Sequence, residues 1–309
     1  MLRKKQLIGP WAGLPVAWKD DDTFAEKTYR GDVARCCAAG VPGVYTGGTT
    51  GEFYAQEFEE FKAVTKATIE ECRKGKKPVM IGCTSTFTLG TIRRVRYAME
   101  KGADAVQIAL PFWMELTDAE VVGFFREVST AVPGMPLVIY ETLRAKKAIS
   151  LKVHKLIHEE VPAVIGVKSN EDTLGHTRKG CAQISKLYNV FVGESMWHEL
   201  GPSGAIGCCS SLVYQNPRIV LQVFDFLLEK KWKELKTAMD NFNHIIIKGL
   251  KPCFRSGCKD SALDRLLGLS AGFLKTSLRC RKPYTSCTHA QLVQFRKWLE
   301  KNHPEFLEL

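Results

Sequence analysis

No apolar run of membrane-spanning length occurs anywhere in the 309 residues. The basic start Met1-Leu2-Arg3-Lys4-Lys5 leads into no apolar segment, because Gly9, Pro10, Gly13 and Pro15 interrupt the adjoining stretch. Neither a signal peptide nor a membrane partner is therefore expected. No Cys-x-x-Cys pair is present, which leaves no zinc ribbon. The eleven cysteines lie in a long chain without a secretory leader, and Cys36-Cys37 and Cys208-Cys209 are vicinal pairs in apolar contexts. That usage suits reduced, packed thiols, so a cytoplasmic setting is expected. A basic stripe interleaved with aromatics is also missing. The net charge of +11 is spread out, with small clusters at Arg144, Lys146 and Lys147 and at Arg279, Arg281 and Lys282. No nucleic-acid partner is expected; the charge reads as a solvated surface that can steer an acidic substrate.

Hydrophobic residues make up 45% and charged residues 25% of the chain, an ordinary globular balance. Strand-like apolar runs fall at Leu7–Ala17, Gly43–Thr46, Pro78–Gly82, Ala105–Ala109, Leu137–Tyr140, Val164–Lys168, Val190–Gly193 and Ala205–Cys209. Amphipathic stretches such as Phe58–Cys72, Leu89–Lys101, Asp118–Val132 and Leu151–Glu160 separate them. Eight strands alternating with helices make an α/β protein, a (β/α)8 TIM barrel. The connection after the seventh strand holds Gly201-Pro202, so a stunted helix is expected there. Beyond Cys209 the pattern is helical only, over Arg218–Lys230, Trp232–Leu250, Ser261–Leu267 and His289–Asn302. The expected organisation is a barrel over residues 1–230 and a small C-terminal helical extension over 231–309.

Lys168 closes the apolar run Ala163-Val164-Ile165-Gly166-Val167, a composition suited to a buried parallel strand. Barrels present their chemistry at strand carboxyl ends. Desolvation there favours the neutral amine, which can attack a ketone and hold it as a Schiff base. Taken alone, the same lysine also fits an ammonium that snorkels to water. The second strand runs into Gly47-Gly48-Thr49-Thr50-Gly51-Glu52, whose glycines and amides can cradle a carboxylate. It lacks the Gly-Lys-Ser/Thr ending of a phosphate loop, and a plain glycine-rich turn is the bland reading. Tyr140 ends the fifth strand, as a core cap or as a proton relay. Gly193 ends the seventh, where a missing side chain leaves room for a ligand.

These features occur in an order and spacing, 28 residues from Tyr140 to Lys168 and 25 more to Gly193, that resemble the dihydrodipicolinate synthase/N-acetylneuraminate lyase family of pyruvate-dependent class I aldolases. The resemblance runs from about Leu7 to the C-terminal helices. It implies that Lys168 attacks the ketone of pyruvate or another 2-oxo acid, and that Tyr140 is the acid/base with Thr49 passing protons to it. Thr49 and Thr50 would hold the α-carboxylate beside Gly48, while Gly193 and Cys209 line the pocket. It further implies no cofactor and no metal, an aldehyde as second partner, and a homo-oligomer, dimer or tetramer.

Two departures bear on the substrate. Where many members carry a relay tyrosine after the fourth strand, this chain has Pro111-Phe112-Trp113-Met114. After Tyr140 it reads Glu141-Thr142-Leu143-Arg144, placing Arg144 one position early for a distal carboxylate and replacing the usual asparagine. Both argue against genuine dihydrodipicolinate synthesis. Glu141 is expected to add negative charge beside Tyr140 unless Arg144 offsets it. The Pro-x-Trp loop resembles that of hydratase-aldolases acting on aromatic pyruvate adducts, although their Asn-Pro-Glu segment is absent. The alternatives that stay open are a hydratase-aldolase, a sugar-acid dehydratase, and a 2-oxo-acid sensor without turnover. His154 and His158 stand one helical turn apart on a helix expected to pack outside the barrel, where no third ligand is expected to complete a metal site.

Overall fold

The computed structural model describes residues 1–309. Eight parallel strands form a closed barrel in sequence order, β1 (Gly9–Gly13), β2 (Val44–Thr46), β3 (Val79–Gly82), β4 (Ala105–Ala109), β5 (Leu137–Glu141), β6 (Val164–Ser169), β7 (Asn189–Phe191) and β8 (Ala205–Ser210). The helices between them are α1 (Glu26–Ala38), α2 (Phe58–Lys74), α3 (Thr88–Lys101), α4 (Asp118–Ala131), α5 (Leu151–Glu160), α6 (Arg178–Ile184) and α7 (Trp197–Leu200). The chain ends in α8 (Pro217–Leu228), α9 (Trp232–His244), α10 (Lys251–Arg255), α11 (Ser261–Ser270) and α12 (His289–Asn302). This is the (β/α)8 barrel with added C-terminal helices that the alternation predicts, down to a one-turn α7.

By contacts the chain divides into two units, Met1–Gly9 with Pro78–Cys209, and Pro10–Lys77 with Ser210–Leu309. In the first, β4, β5 and β6 are the best-paired strands, with Ala109, Tyr140 and Lys168 in register, followed by Phe191 of β7. Residues paired across parallel strands point to the same face. Tyr140 and Lys168 therefore point to the same face of the sheet. α4 starts cleanly because Thr117 caps it, accepting from the Glu120 amide while Glu120 reaches back to the Thr117 amide at 2.7 Å.

In the second unit the loop after β2 is fixed by buried charge. Arg265 of α11 and Glu52 are both fully buried and ion-paired. Trp18 Nε1 donates to Glu52 Oε2 at 2.7 Å, the Arg281 amide donates to Glu52 Oε1 at 3.0 Å, and Arg265 also donates to the Val16 carbonyl at 2.6 Å. These contacts hold Glu52 in a left-handed conformation, φ 53°, that a non-glycine residue rarely adopts. Truncating one member of such a pair leaves an uncompensated buried charge. Arg265→Met is therefore expected to cost about 3–5 kcal/mol, read as a lowered midpoint in denaturant unfolding. Adding Glu52→Gln should recover part of the loss; a single variant as stable as the parent would show that water reaches Glu52.

Candidate active site

In the first unit, Lys168 Nζ stands 4.3 Å from the centroid of the Tyr140 ring. Tyr140 is 4% exposed, and Lys168 is half-buried at the carboxyl end of β6. A ring face at that distance attracts an ammonium. Asn170, two residues beyond Lys168, donates from Nδ2 to Tyr140 Oη at 3.4 Å. Its own backbone is tied at both ends, the amide to the Glu141 carbonyl at 3.1 Å and the carbonyl to Thr173 Oγ1 at 2.6 Å. Nothing in the sequence motif singles out Asn170.

Ten of the eleven cysteines are buried thiols, and Cys209 is of intermediate exposure. Burial raises its pKa, against the pull of the Lys168 charge and of Gln107, which donates from Nε2 to Cys209 Sγ at 3.6 Å. Gln107 is 1% exposed and its Oε1 has no hydrogen-bond partner. It was legible as the one polar residue in the apolar run of the fourth strand. Gly193 lies two residues past β7 rather than inside it, and a Cβ there would meet only Ser195 Oγ, at 3.8 Å.

The residues that sequence places after β4 and β5 are arranged differently from expectation. Glu141 does not charge the neighbourhood of Tyr140. Side chains alternate along a strand, so it faces away, accepting from the Ile149 amide at 2.9 Å with Oε1 and meeting His154 Nε2 at 3.2 Å with Oε2. A glutamate thus does neighbour His154, contrary to the reading from local sequence, yet no group of three or more metal-ligating side chains forms. Arg144 sits exposed in the turn Leu143–Ala145, its amide donating to Thr142 Oγ1 at 3.3 Å. Trp113 is 74% exposed; Lys146 Nζ donates to its carbonyl at 2.5 Å and lies 5.6 Å from its ring.

Thr49 and Thr50 belong to the second unit, both half-buried on the loop after β2. The loop closes through the Glu52 amide on the Thr49 carbonyl at 3.0 Å and the Phe53 amide on the Gly48 carbonyl at 3.4 Å. Gly48 is required by packing, since a Cβ there would lie 2.2 Å from the Tyr45 hydroxyl. The Thr50 hydroxyl donates to Asp264 Oδ2 at 2.5 Å.

Set beside known proteins, the sequence matches the Dihydrodipicolinate synthetase family over residues 9–302. The chain belongs to that family. Its members are lyases of the aldolase type, and at that level the chain is one. It is 31% identical over 223 residues to the 4-hydroxy-tetrahydrodipicolinate synthase of Anaplasma marginale, covering 71% of this chain and 72% of that protein. To the Thermus thermophilus protein of the same name it is 28% identical over 197 residues, 63% of this chain and 66% of that one. Among solved structures, the fold is similar to sialic acid aldolase of Ruminococcus gnavus, with TM-score 0.86 at 19% identity over 99% of this chain and 100% of that one. It is also similar to PhdJ bound to a substrate intermediate, with TM-score 0.85 at 23% identity over 99% and 98%. No helix is long and apolar enough to cross a membrane.

Proposed function

We propose that this family member is a Schiff-base-forming lyase that cleaves or forms the carbon–carbon bond between pyruvate, or a close 2-oxo acid, and an aldehyde. The observation that carries the reading is Lys168 at the end of β6 with Nζ 4.3 Å from the ring of Tyr140. Lys168 Nζ, as the neutral amine, adds to the ketone carbon; the carbinolamine then loses water to give the iminium. In cleavage, Tyr140 removes the proton from the adduct's hydroxyl, the carbon–carbon bond breaks, and the aldehyde leaves. The bonding pair enters the iminium, which becomes the enamine. Protonation of the enamine carbon and hydrolysis return pyruvate and the free lysine. Thr49 relays the proton to and from Tyr140, and Thr49 and Thr50 take the α-carboxylate beside Gly48. Gly193 leaves space for the bound acid, and Cys209 forms part of the wall. The electron sink is the iminium, so the steps assigned to these residues need no cofactor. The cytoplasm and a homo-oligomeric state follow from the same family reading.

The partner is the open variable. With Glu141 turned towards His154, the case against aspartate semialdehyde rests on the loop Pro111-Phe112-Trp113-Met114 in place of a relay tyrosine, on the missing asparagine and on the displaced Arg144. Trp113, a wide exposed aromatic face after β4, favours an aromatic or sugar-acid adduct and keeps the hydratase-aldolase reading in play. The deciding assay offers a panel of pyruvate adducts and measures released pyruvate. Imine formation without turnover on any adduct would make the protein a 2-oxo-acid sensor instead. Stacking on Trp113 is worth about 0.5–1.5 kcal/mol. Trp113→Ala should therefore raise KM for an aromatic adduct about 2- to 10-fold while pyruvate alone binds as before. Efficient condensation with aspartate semialdehyde, or an unchanged preference in Trp113→Ala, would remove Trp113 from the substrate pocket.

A further inference from the structure

Pairing between β5 and β6 outlasts the strands' own ends. Beyond Glu141↔Ser169, the Asn170 amide donates to the Glu141 carbonyl at 3.1 Å, one further rung of the ladder. Side chains alternate along such a ladder, so Asn170 returns to the face of Lys168 and Tyr140. There its Nδ2 donates to Tyr140 Oη at 3.4 Å. Ser169 turns the other way, its Oγ 2.2 Å from where a Cβ on Gly175 would stand. The Asn170 carbonyl is held as well, accepting from the Thr173 amide at 3.2 Å and from Thr173 Oγ1 at 2.6 Å, and Thr173 is buried. The half-buried side chain of Asn170 is thus carried on backbone bonded at both its amide and its carbonyl.

To take the proton of an adduct's hydroxyl, Tyr140 must first be a phenolate. A phenol ordinarily ionises near pH 10, so a base that works closer to neutrality needs its charged form favoured. A hydrogen-bond donor at the oxygen does this. A primary amide suits the task, because its N–H donates at every working pH and does not itself exchange a proton with the substrate. A length of 3.4 Å is ordinary for a catalytic contact before substrate arrives, and such bonds tighten in the complex. Other titratable groups flank this strand end. Lys168 lies over the Tyr140 ring, and Cys209 feels the charges of Lys168 and of buried Glu194. Ala109, level with Tyr140 on β4, brings no charge, and Glu141 meets His154 on the opposite face of β5.

We propose that Asn170 is a positioning residue for Tyr140: its side-chain N–H holds the phenolate that takes the adduct's hydroxyl proton. This rests on the function proposed above and deepens it. Three roles for Asn170 separate cleanly. As a donor to the phenolate, it lowers the pH at which turnover sets in. With its amide turned over, Oδ1 would accept the phenol's proton, hold Tyr140 neutral and raise that pH. As a contact to the aldehyde portion, it would change KM and leave the pH dependence of kcat alone.

The test is the pH profile of kcat, from about pH 6 to 10, for cleavage of aldol adducts of pyruvate, beginning with that of benzaldehyde. That parameter reports ionisations of the bound state, in which Lys168 is no longer a free amine. A hydrogen bond to a charged group corresponds to about 10- to 100-fold in an equilibrium, or about 1–2 pH units. In Asn170→Ala the rising limb should move up by about 1 unit, with turnover about 10-fold down on that limb and recovered above it. Asn170→Asp keeps the size, loses the donor and adds a negative charge, so its limb should move further; it remains informative if the alanine variant fails to fold. KM should stay within about 3-fold in both. In a Tyr140→Phe background, Asn170→Ala should cost less than about 2-fold more, because its partner oxygen is already gone. A limb that stays in place or moves down, a loss equal at every pH, or an effect carried by KM overturns the role of Asn170 alone. A parent protein that cleaves no adduct and is never labelled by pyruvate and borohydride overturns it together with the reading it rests on.

Discussion

Replacing Lys168 by alanine is expected to bring pyruvate release from any adduct down to background, a loss of at least about 10,000-fold, in line with removal of a covalent nucleophile elsewhere. Labelling by pyruvate and borohydride should vanish with it. The fold should survive, because β6 is held by backbone pairing from Leu137↔Val164 to Glu141↔Ser169 on one side and by β7 on the other. The Lys168 side chain is half-buried and lies against a ring that stays in place. Circular dichroism and a thermal melt close to the parent's would separate lost chemistry from lost structure. Substantial turnover in the alanine variant would mean that another amine carries the substrate.

Tyr140→Phe should divide the chemistry differently. The ring remains beneath Lys168 Nζ, so the amine keeps its neighbour, while the oxygen that accepts from Asn170 Nδ2 is gone. General acid–base assistance is worth about 100- to 10,000-fold in rate. Turnover should fall by that order while imine trapping slows but persists. Single-turnover measurements distinguish the two steps. Near-parental turnover would show that a different group moves the proton.

The barrel was legible because parallel strands buried on both faces write themselves as short apolar runs, and Ala105–Ala109 and Val164–Lys168 are such runs. The ends were harder. Residues 14–17 stay buried after β1 has stopped at Gly13; the Leu14 amide still donates to the Tyr45 carbonyl of β2 at 2.9 Å, and beyond it packing holds Val16 and Ala17 inside. The long run from Trp232 breaks at His244, where a π turn over Ile245–Gly249 puts the Leu250 amide on the Ile245 carbonyl. α1 shows no clean apolar stripe, since its buried face includes Asp32, whose carboxylate pairs with Arg35 and takes the Lys275 amide.

At the site, the pairing of Lys168 with Tyr140 could be read from two strand ends. The direction of Glu141 could have been read as well, because a residue next to an inward tyrosine on a strand must point outward. The hold of Asp264 on Thr50 could not. The two are 214 residues apart, and nothing local in a helical segment announces a contact with a distant loop. Asn170 is an intermediate case, close to Lys168 in sequence but identified only by the reach of its amide to Tyr140.

The covalent imine is the centre of this account, and the direct measurement is the site of reduction. The protein is incubated with pyruvate and borohydride, digested, and its peptides are weighed and sequenced. The account predicts a single carboxyethyl adduct on Lys168, formed only when pyruvate and reductant are both present. An adduct on another lysine, or none at saturating pyruvate, would contradict it.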